Sequence, residues 1–201
     1  MLVLGLTGNI GCGKSSLSKI FREEFDIDII DADIISRKIF EDKKLLNLVF
    51  EHFGDCIKNE DGSLNRKALG NIVFNDDNKL IELNSLTHPR IKETIINEIE
   101  ILKLHNKEVI VIDAPLLIEG GYLEMVDKLL VITCNNEIQI SRIQKRDNCT
   151  REEAIVRINS QISQEEKVKY ADYIIDNSGS IESLGQKVNE FLMYMKENWC
   201  G

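Results

Sequence analysis

Apolar residues in this chain alternate between short continuous runs and stretches at helical spacing, and that alternation predicts its elements. Leu2-Val3-Leu4-Gly5-Leu6-Thr7 is a short apolar run of the kind that forms a buried strand. Leu17, Ile20, Phe21 and Phe25 then share one helical face, predicting a helix from about Lys14 to Phe25. Ile27–Asp31 reads as a second strand, followed by a helix carrying Ile34, Ile35, Ile39 and Phe40. Leu45, Leu46, Val49, Phe50 and Phe53 mark another helix over Lys43–Phe53, with Gly54 as a natural stop. A turn at Asn59–Ser63 precedes a short helix over Arg66–Phe74, and Asp76–Leu86 is helical as well. Thr87-His88-Pro89 offers an N-cap and an early proline for a further helix, which would bury Ile91, Ile95, Ile99 and Leu102.

Val109–Asp113 is the most strand-like run: apolar, β-branched and ending in an acid, as a central parallel strand should. Leu129–Thr133 and Ala171–Asp176 predict two more strands, and Leu184, Val188, Phe191, Leu192 and Met195 mark a terminal amphipathic helix. Between them lies a helical stretch with Arg142, Lys145, Arg146, Arg151 and Arg157, in which Thr150 and Glu153 have capping-box spacing. Strands alternating with helices predict an α/β fold: a five-stranded parallel sheet flanked by helices, with ligands at the strands' carboxyl ends. About eighty mostly helical residues separate the second strand from the third, too many for a simple crossover, so a helical subdomain is inserted there.

The candidate chemistry starts at Gly8-Asn9-Ile10-Gly11-Cys12-Gly13-Lys14-Ser15, which fits the phosphate-binding pattern of Gly, four free positions, then Gly-Lys-Ser. Backbone N–H groups of such a loop and of the following helix point at phosphate oxygens. Lys14 can reach the β- and γ-phosphates, and the Ser15 hydroxyl can ligate Mg²⁺. Strand, glycine loop and helix in that order are the context the motif requires.

At the same sheet edge, Asp33 leaves the second strand where it could accept an alcohol proton, although Asp31 and Asp33 also suit helix capping. Asp113 resembles the acid after a Walker-B strand, which holds Mg²⁺ directly or through water; capping is the rival role. The arginines of 142–157 fit either a solvated face or a cationic lid on nucleotide phosphates. His88 fits a place near an acceptor or a structural role; His52, His88 and His105 have no ligand or triad spacing.

Composition narrows the partners. At 201 residues, 43% of them apolar, the chain suits one domain with a real core. A net charge of −9 argues against nucleic-acid binding, which needs a broad cationic surface. Cys12, Cys56, Cys134, Cys149 and Cys200 are scattered without metal-ligand spacing, as reduced cytosolic thiols would be. For Cys12, positive charge around the loop could lower the thiol pKa, or only its backbone matters. No secretory leader pattern opens the sequence and no apolar run approaches a membrane span, so the expectation is a cytoplasmic protein without membrane contacts.

Taken together, these motifs are specific. Gly5-Leu6-Thr7-Gly8 runs into the phosphate loop, then come Asp31-Ala32-Asp33 with Arg37, His88-Pro89, and Asp113-Ala114-Pro115-Leu116-Leu117 with Glu119. Arg146-Asp147-Asn148, Thr150, Arg157, Gln161, Ala171-Asp172 and Asp176-Asn177-Ser178-Gly179 follow. In this order the chain resembles the dephospho-CoA kinase family over nearly its whole length. The resemblance implies a P-loop NTPase fold with a core (1–33, 106–138, 170–201), a helical acceptor-binding insertion (34–105) and a helical lid (139–169). It implies transfer of the ATP γ-phosphate to the ribose 3′-hydroxyl of dephospho-CoA with Mg²⁺, the last step of CoA synthesis; a monomer is the expectation. Asp33 would be the base, and Lys14, Arg142 and Arg146 would steady the phosphates. Gly11, Cys12, Gly13, Ser15 and Ser16 would hold the nucleotide, with Arg142 and Asn177 by its adenine. Thr7, Arg37, His88, Pro115, Leu116 and Leu117 would seat the acceptor, and Ser15 and Asp113 would face the metal. Asn9 and Cys12 depart from the family's usual residues at positions expected to present mainly backbone.

From the residues alone, a kinase for nucleoside monophosphates or another small alcohol remains an alternative. A nucleotide switch is the other class, but Asn106-Lys107-Glu108-Val109 lacks the Asn-Lys-x-Asp guanine motif.

Overall fold

β1 (Leu2–Thr7) is the middle strand of a sheet completed by β2 (Asp28–Asp31), β3 (Val109–Asp113), β4 (Lys128–Thr133) and β5 (Tyr173–Asp176). All pairings are parallel, in the order β2-β3-β1-β4-β5. The structure, a computed structural model, describes residues 1–199; Cys200 lies outside the described residues. Register aligns the strands' ends: Leu6 pairs with Asp113, Asp31 with Asp113, and Thr133 with Asp176. The chemistry-bearing loops therefore leave one edge of the sheet, as parallel strands require.

The helices are α1 (Lys14–Phe25), α2 (Ala32–Lys38), α3 (Lys43–Phe53), α4 (Arg66–Val73) and α5 (Asp77–Leu104), then α6 (Asn136–Asp147), α7 (Arg151–Asn159), α8 (Gln164–Val168) and α9 (Ile181–Asn198). The chain divides into two compact units. One holds Met1–Asp31 with the described residues from Ile99 onward, and contains the whole sheet. Its core joins Leu4, Leu6, Val111, Leu130 and Ile132 of the sheet to Leu17 and Phe21 of α1 and to Val188 and Phe191 of α9. Phe191 meets the rings of Phe21, Tyr173 and Trp199 at 6.1, 4.9 and 5.8 Å between centroids. Such pairs add ~0.5–1.5 kcal/mol each beyond area burial.

The second unit, Ala32–Glu98, is helical. Ile35, Leu45, Val49, Phe53, Leu69, Val73, Ile91 and Ile95 are buried in it. Asp42 caps α3 by accepting from Lys44 N, and its other oxygen accepts from Arg90 of α5 at 2.6 Å.

Three expectations need correction. Thr87-His88-Pro89 starts no helix; α5 runs through it from Asp77 to Leu104. Proline within a helix costs about 3 kcal/mol through a lost hydrogen bond and a ring clash. The hydroxyl that would cap a new helix turns back instead, Thr87 Oγ1 donating to Leu83 O. Burial of Thr87, Ile91 and Ile95 favours continuity, whereas Ile99 and Leu102 are only half-buried. The helix after β2 ends at Lys38 and gives way to a 3-10 turn over Ile39–Glu41. β5 begins at Tyr173, because Asp172 is engaged at the strand's entry, accepting from Leu129 N and Lys128 Nζ.

Candidate active site

The glycine loop connects β1 to α1, and its conformation is one that side chains obstruct. Gly11 has φ +82° and Gly13 φ +95°. A Cβ at Gly13 would collide with Asn177 Nδ2, and one at Gly11 would sit 2.9 Å from Ile143 Cγ1. Asn177, just beyond β5, donates from Nδ2 to Cys12 O at 2.8 Å, fixing the loop from a distant part of the chain. Gln139 Nε2 donates to Ile10 O at 2.7 Å, and Ile10 N donates to Gln161 Oε1 at 2.8 Å.

Asn9 and Cys12 contribute side chains as well, contrary to expectation. Asn9 Nδ2 donates to Ile162 O at 2.8 Å and Cys12 Sγ to Gln164 Oε1 at 3.2 Å; both residues are buried. Cys12 Sγ also lies 3.6 Å from Cys134 Sγ. The shared hydrogen bond with Cys134 and burial push the Cys12 thiol up rather than down.

Lys14 opens α1 and forms an ion pair with Asp113 at the end of β3. Ser18, one turn along α1, donates its hydroxyl to the other Asp113 oxygen and is buried beside it. The two charged side chains are 14% and 5% exposed, so each depends on the other for its desolvation. Ser15 is exposed and Ser16 half-buried at the helix start, where backbone N–H groups lack intrahelical partners. No group of three or more His, Cys, Asp or Glu among the described residues could hold a metal by itself. Ser15 offers one hydroxyl and Asp113 one carboxylate, whose two oxygens are engaged by Lys14 and Ser18; oxygen donors of this kind suit Mg²⁺.

The turn after β3 is tied back to the sheet. Buried Thr7 donates from Oγ1 to Pro115 O at 3.1 Å; Leu117 is buried while Leu116 is exposed.

The basic stretch separates into different kinds of arginine. Arg146 binds Asp147 through Nε at 2.7 Å and Nη2 at 2.9 Å, and Arg157 bonds the same carboxylate. Those guanidinium groups hold the Asp147 carboxyl below its usual value. Arg151 pairs with Glu137 at 2.6 Å. Arg142 differs: its buried Nη1 has no hydrogen-bond partner among the described residues and lies 3.8 Å from the position of a Gly13 Cβ. Its guanidinium therefore stands beside Gly13 of the phosphate loop and also interacts with the Cys134 thiol.

Asp33, Arg37 and His88 belong to the helical unit. Asp33 is exposed in the first turn of α2, and Arg37 is exposed with its carbonyl accepting from Arg66 Nη2 at 2.6 Å. His88 is half-buried within α5; burial and the nearby Lys92 charge hold its imidazole below the ordinary value. The sheet unit accordingly gathers Thr7, the loop from Gly11 to Ser16, Asp113, Pro115–Leu117, Arg142 and Asn177. Sequence reasoning passed over Ser18, Gln139 and Gln164. Only Ser18 carried a local signal, its one-turn spacing from Lys14 on a helix.

The strand order and this loop, with its lysine paired to the acid of the adjacent strand, define a P-loop kinase fold. A shikimate kinase from Acinetobacter baumannii shares that fold, with a TM-score of 0.52 at 16% identity over 98% of this chain and 95% of that one. More specific likeness follows. The family profile described as dephospho-CoA kinase matches residues 2–183. A dephospho-CoA kinase of Bacillus anthracis is 42% identical over 181 residues, 90% of each chain. The solved dephospho-CoA kinase from Campylobacter jejuni superposes with a TM-score of 0.73 at 33% identity, covering 97% of both chains. The chain belongs to the dephospho-CoA kinase family.

Proposed function

We propose that this protein transfers the γ-phosphoryl group of ATP to the ribose 3′-hydroxyl of dephospho-CoA, producing CoA and ADP. Family membership over residues 2–183 is the observation that carries the reading. Loop N–H groups and Lys14 take the β- and γ-phosphate charge, the ammonium exchanging part of its attachment to Asp113 for phosphate oxygens. Arg142, whose Nη1 is unpartnered beside Gly13, stabilises charge spreading onto the transferred group, and Arg146 joins it by leaving Asp147. Asp33 accepts the proton of the 3′-hydroxyl as that oxygen attacks the γ-phosphorus in line with the departing ADP oxygen. Thr7, Arg37, His88 and the Pro115–Leu117 turn seat the acceptor, and Asn177 backs the nucleotide site through the loop carbonyl it holds. Ser15 and Asp113 would hold Mg²⁺, which when bound would neutralise charge across the phosphates. In this reading residues 34–105 serve the acceptor, and the arm of 139–160 within the expected 139–169 lid closes over the nucleotide, excluding water that would hydrolyse ATP, while 161–169 stay bonded beside the phosphate loop. In the same reading the protein works in the cytoplasm as a monomer. No described helix is long and apolar enough to cross a membrane.

ADP release from ATP and Mg²⁺ tests this, measured alone, with dephospho-CoA and with a panel of nucleoside monophosphates. Stimulation by dephospho-CoA alone is expected. Stimulation by a nucleoside monophosphate instead would overturn the acceptor, and slow release indifferent to any acceptor would indicate a switch.

A further inference from the structure

Lys167 is the one lysine or arginine among the described residues that is fully buried, at 0% exposure. Its setting in the sequence, Glu165-Glu166-Lys167-Val168-Lys169, gives no hint of this. Short helix α8 carries it inward while its neighbour Lys169 pairs with Glu166 on the surface. Removing an ammonium from water is costly unless its protons are matched. Lys167 Nζ donates to Pro115 O at 2.6 Å and lies 3.0 Å from Glu119 Oε1. Pro115 O is the same carbonyl that Thr7 Oγ1 reaches, so two donors from different elements converge on it. Burial pushes the ammonium below the ordinary lysine value, with the Glu119 carboxylate opposing that shift.

The segment leading to Lys167 is itself bonded to the phosphate loop. Gln161 Oε1 accepts from Ile10 N, Ile162 O from Asn9 Nδ2, and Gln164 Oε1 from both Cys12 Sγ and Cys134 N. Residues 161–167 therefore brace two structures at once, with the donor loop at one end and the turn after β3 at the other. We propose that Lys167 is a positioning residue that clamps the 115–119 turn to this brace, holding the acceptor-seating turn in register with the phosphate loop. It acts through Pro115 and Glu119 and does not touch substrate. The acceptor role of the turn rests on the proposed function; the clamp itself does not.

Three proteins decide it: Lys167→Met, Glu119→Gln and, as a surface control on the same segment, Lys169→Met. Kinetics with dephospho-CoA, ATP affinity by calorimetry and amide exchange over residues 115–122 are measured on each. A displaced positioning contact costs roughly 10–100-fold in rate. Lys167→Met should lower kcat/KM for dephospho-CoA within that range while ATP affinity changes less than about threefold. Exchange at Leu117, Gly120 and Tyr122, whose amides bond within the turn, should accelerate. Glu119→Gln should show the same pattern more weakly, and Lys169→Met should match the unmodified protein. If Lys167→Met does not fold, Glu119→Gln carries the decision. Unchanged exchange over 115–122, or equal losses for ATP and acceptor, would overturn the clamp. Absence of any dephospho-CoA-stimulated turnover in the unmodified protein would instead contradict the proposed function, with the exchange result still judging the clamp.

Discussion

The sheet unit and the helical unit use their polar side chains in opposite ways. In the sheet unit Thr7, Asn9, Ser18, Asp113, Gln139, Lys167 and Asn177 are buried, and their side chains hold the phosphate loop, its lysine and the turn after β3. In the helical unit Thr87 is the one buried polar residue among those described, and its hydroxyl returns to its own helix. The candidate groups there, Asp33 and Arg37, stand exposed on the seven-residue helix α2. Buried, mutually satisfied groups are preorganised, and such groups stabilise developing charge without reorganising when the reaction occurs. The difference teaches that the phosphate loop and the turn after β3 are fixed before substrates arrive. In the proposed reading, Asp33 and Arg37 of the helical unit offer accessible chemistry whose geometry the acceptor completes.

The largest effect that could break this comparison belongs to Asp33→Asn. As the proton acceptor, its loss should lower kcat by about 10²–10⁴-fold with ATP affinity nearly unchanged. Turnover close to normal would move the base elsewhere.

Lys14→Ala should affect chemistry and folding together. Loss of a charge-stabilising donor costs ~10²–10³ in kcat. Leaving Asp113 buried without its cation costs about 3–5 kcal/mol of stability. A double variant with Asp113→Asn should recover part of the stability and none of the turnover, as thermal unfolding and kinetics can read separately. Full activity in either protein would contradict the preorganised donor site.

A smaller effect sharpens the contrast. Asn177→Ala strips Cys12 O of its donor, and an unsatisfied buried carbonyl costs about 1–3 kcal/mol. KM for ATP should rise while KM for dephospho-CoA holds; an equal rise in both would show that the loop's order is not specific to the donor.

The smallest effect lies in the helical unit and depends on pH. His88 has a folded-state pKa below its unfolded value, so the unfolded chain binds the proton more readily. Stability should therefore fall as pH drops below the unfolded value of about 6.5 and level off once the folded group is also protonated. His88→Gln should flatten that slope in thermal melts between pH 7.5 and about 5. An unchanged slope would remove His88 from the acid sensitivity.

Much of the sheet unit is legible in the sequence because local pattern and tertiary role agree. α1 and β3 have the bounds that apolar spacing predicts, as does α3 in the helical unit, and the glycine loop declares itself through fixed spacing. Other parts were illegible for definite reasons. Thr87 and Pro89 are local start signals that burial along α5 overrides. The partners that shape the loop are remote: Asn177 lies 165 residues from Cys12, and Gln139 lies 129 from Ile10. No local pattern encodes such a pairing. Lys167 is hidden for a third reason, since a lysine among glutamates reads as a solvated face until its helix is seen to turn it inward.

One measurement bears on the central claim most directly: ³¹P NMR of the products formed from ATP, Mg²⁺ and dephospho-CoA. A new phosphomonoester on the ribose 3′-oxygen, growing in step with ADP, is the predicted result. ADP accompanied only by inorganic phosphate, or a phosphate on any other hydroxyl, would contradict it.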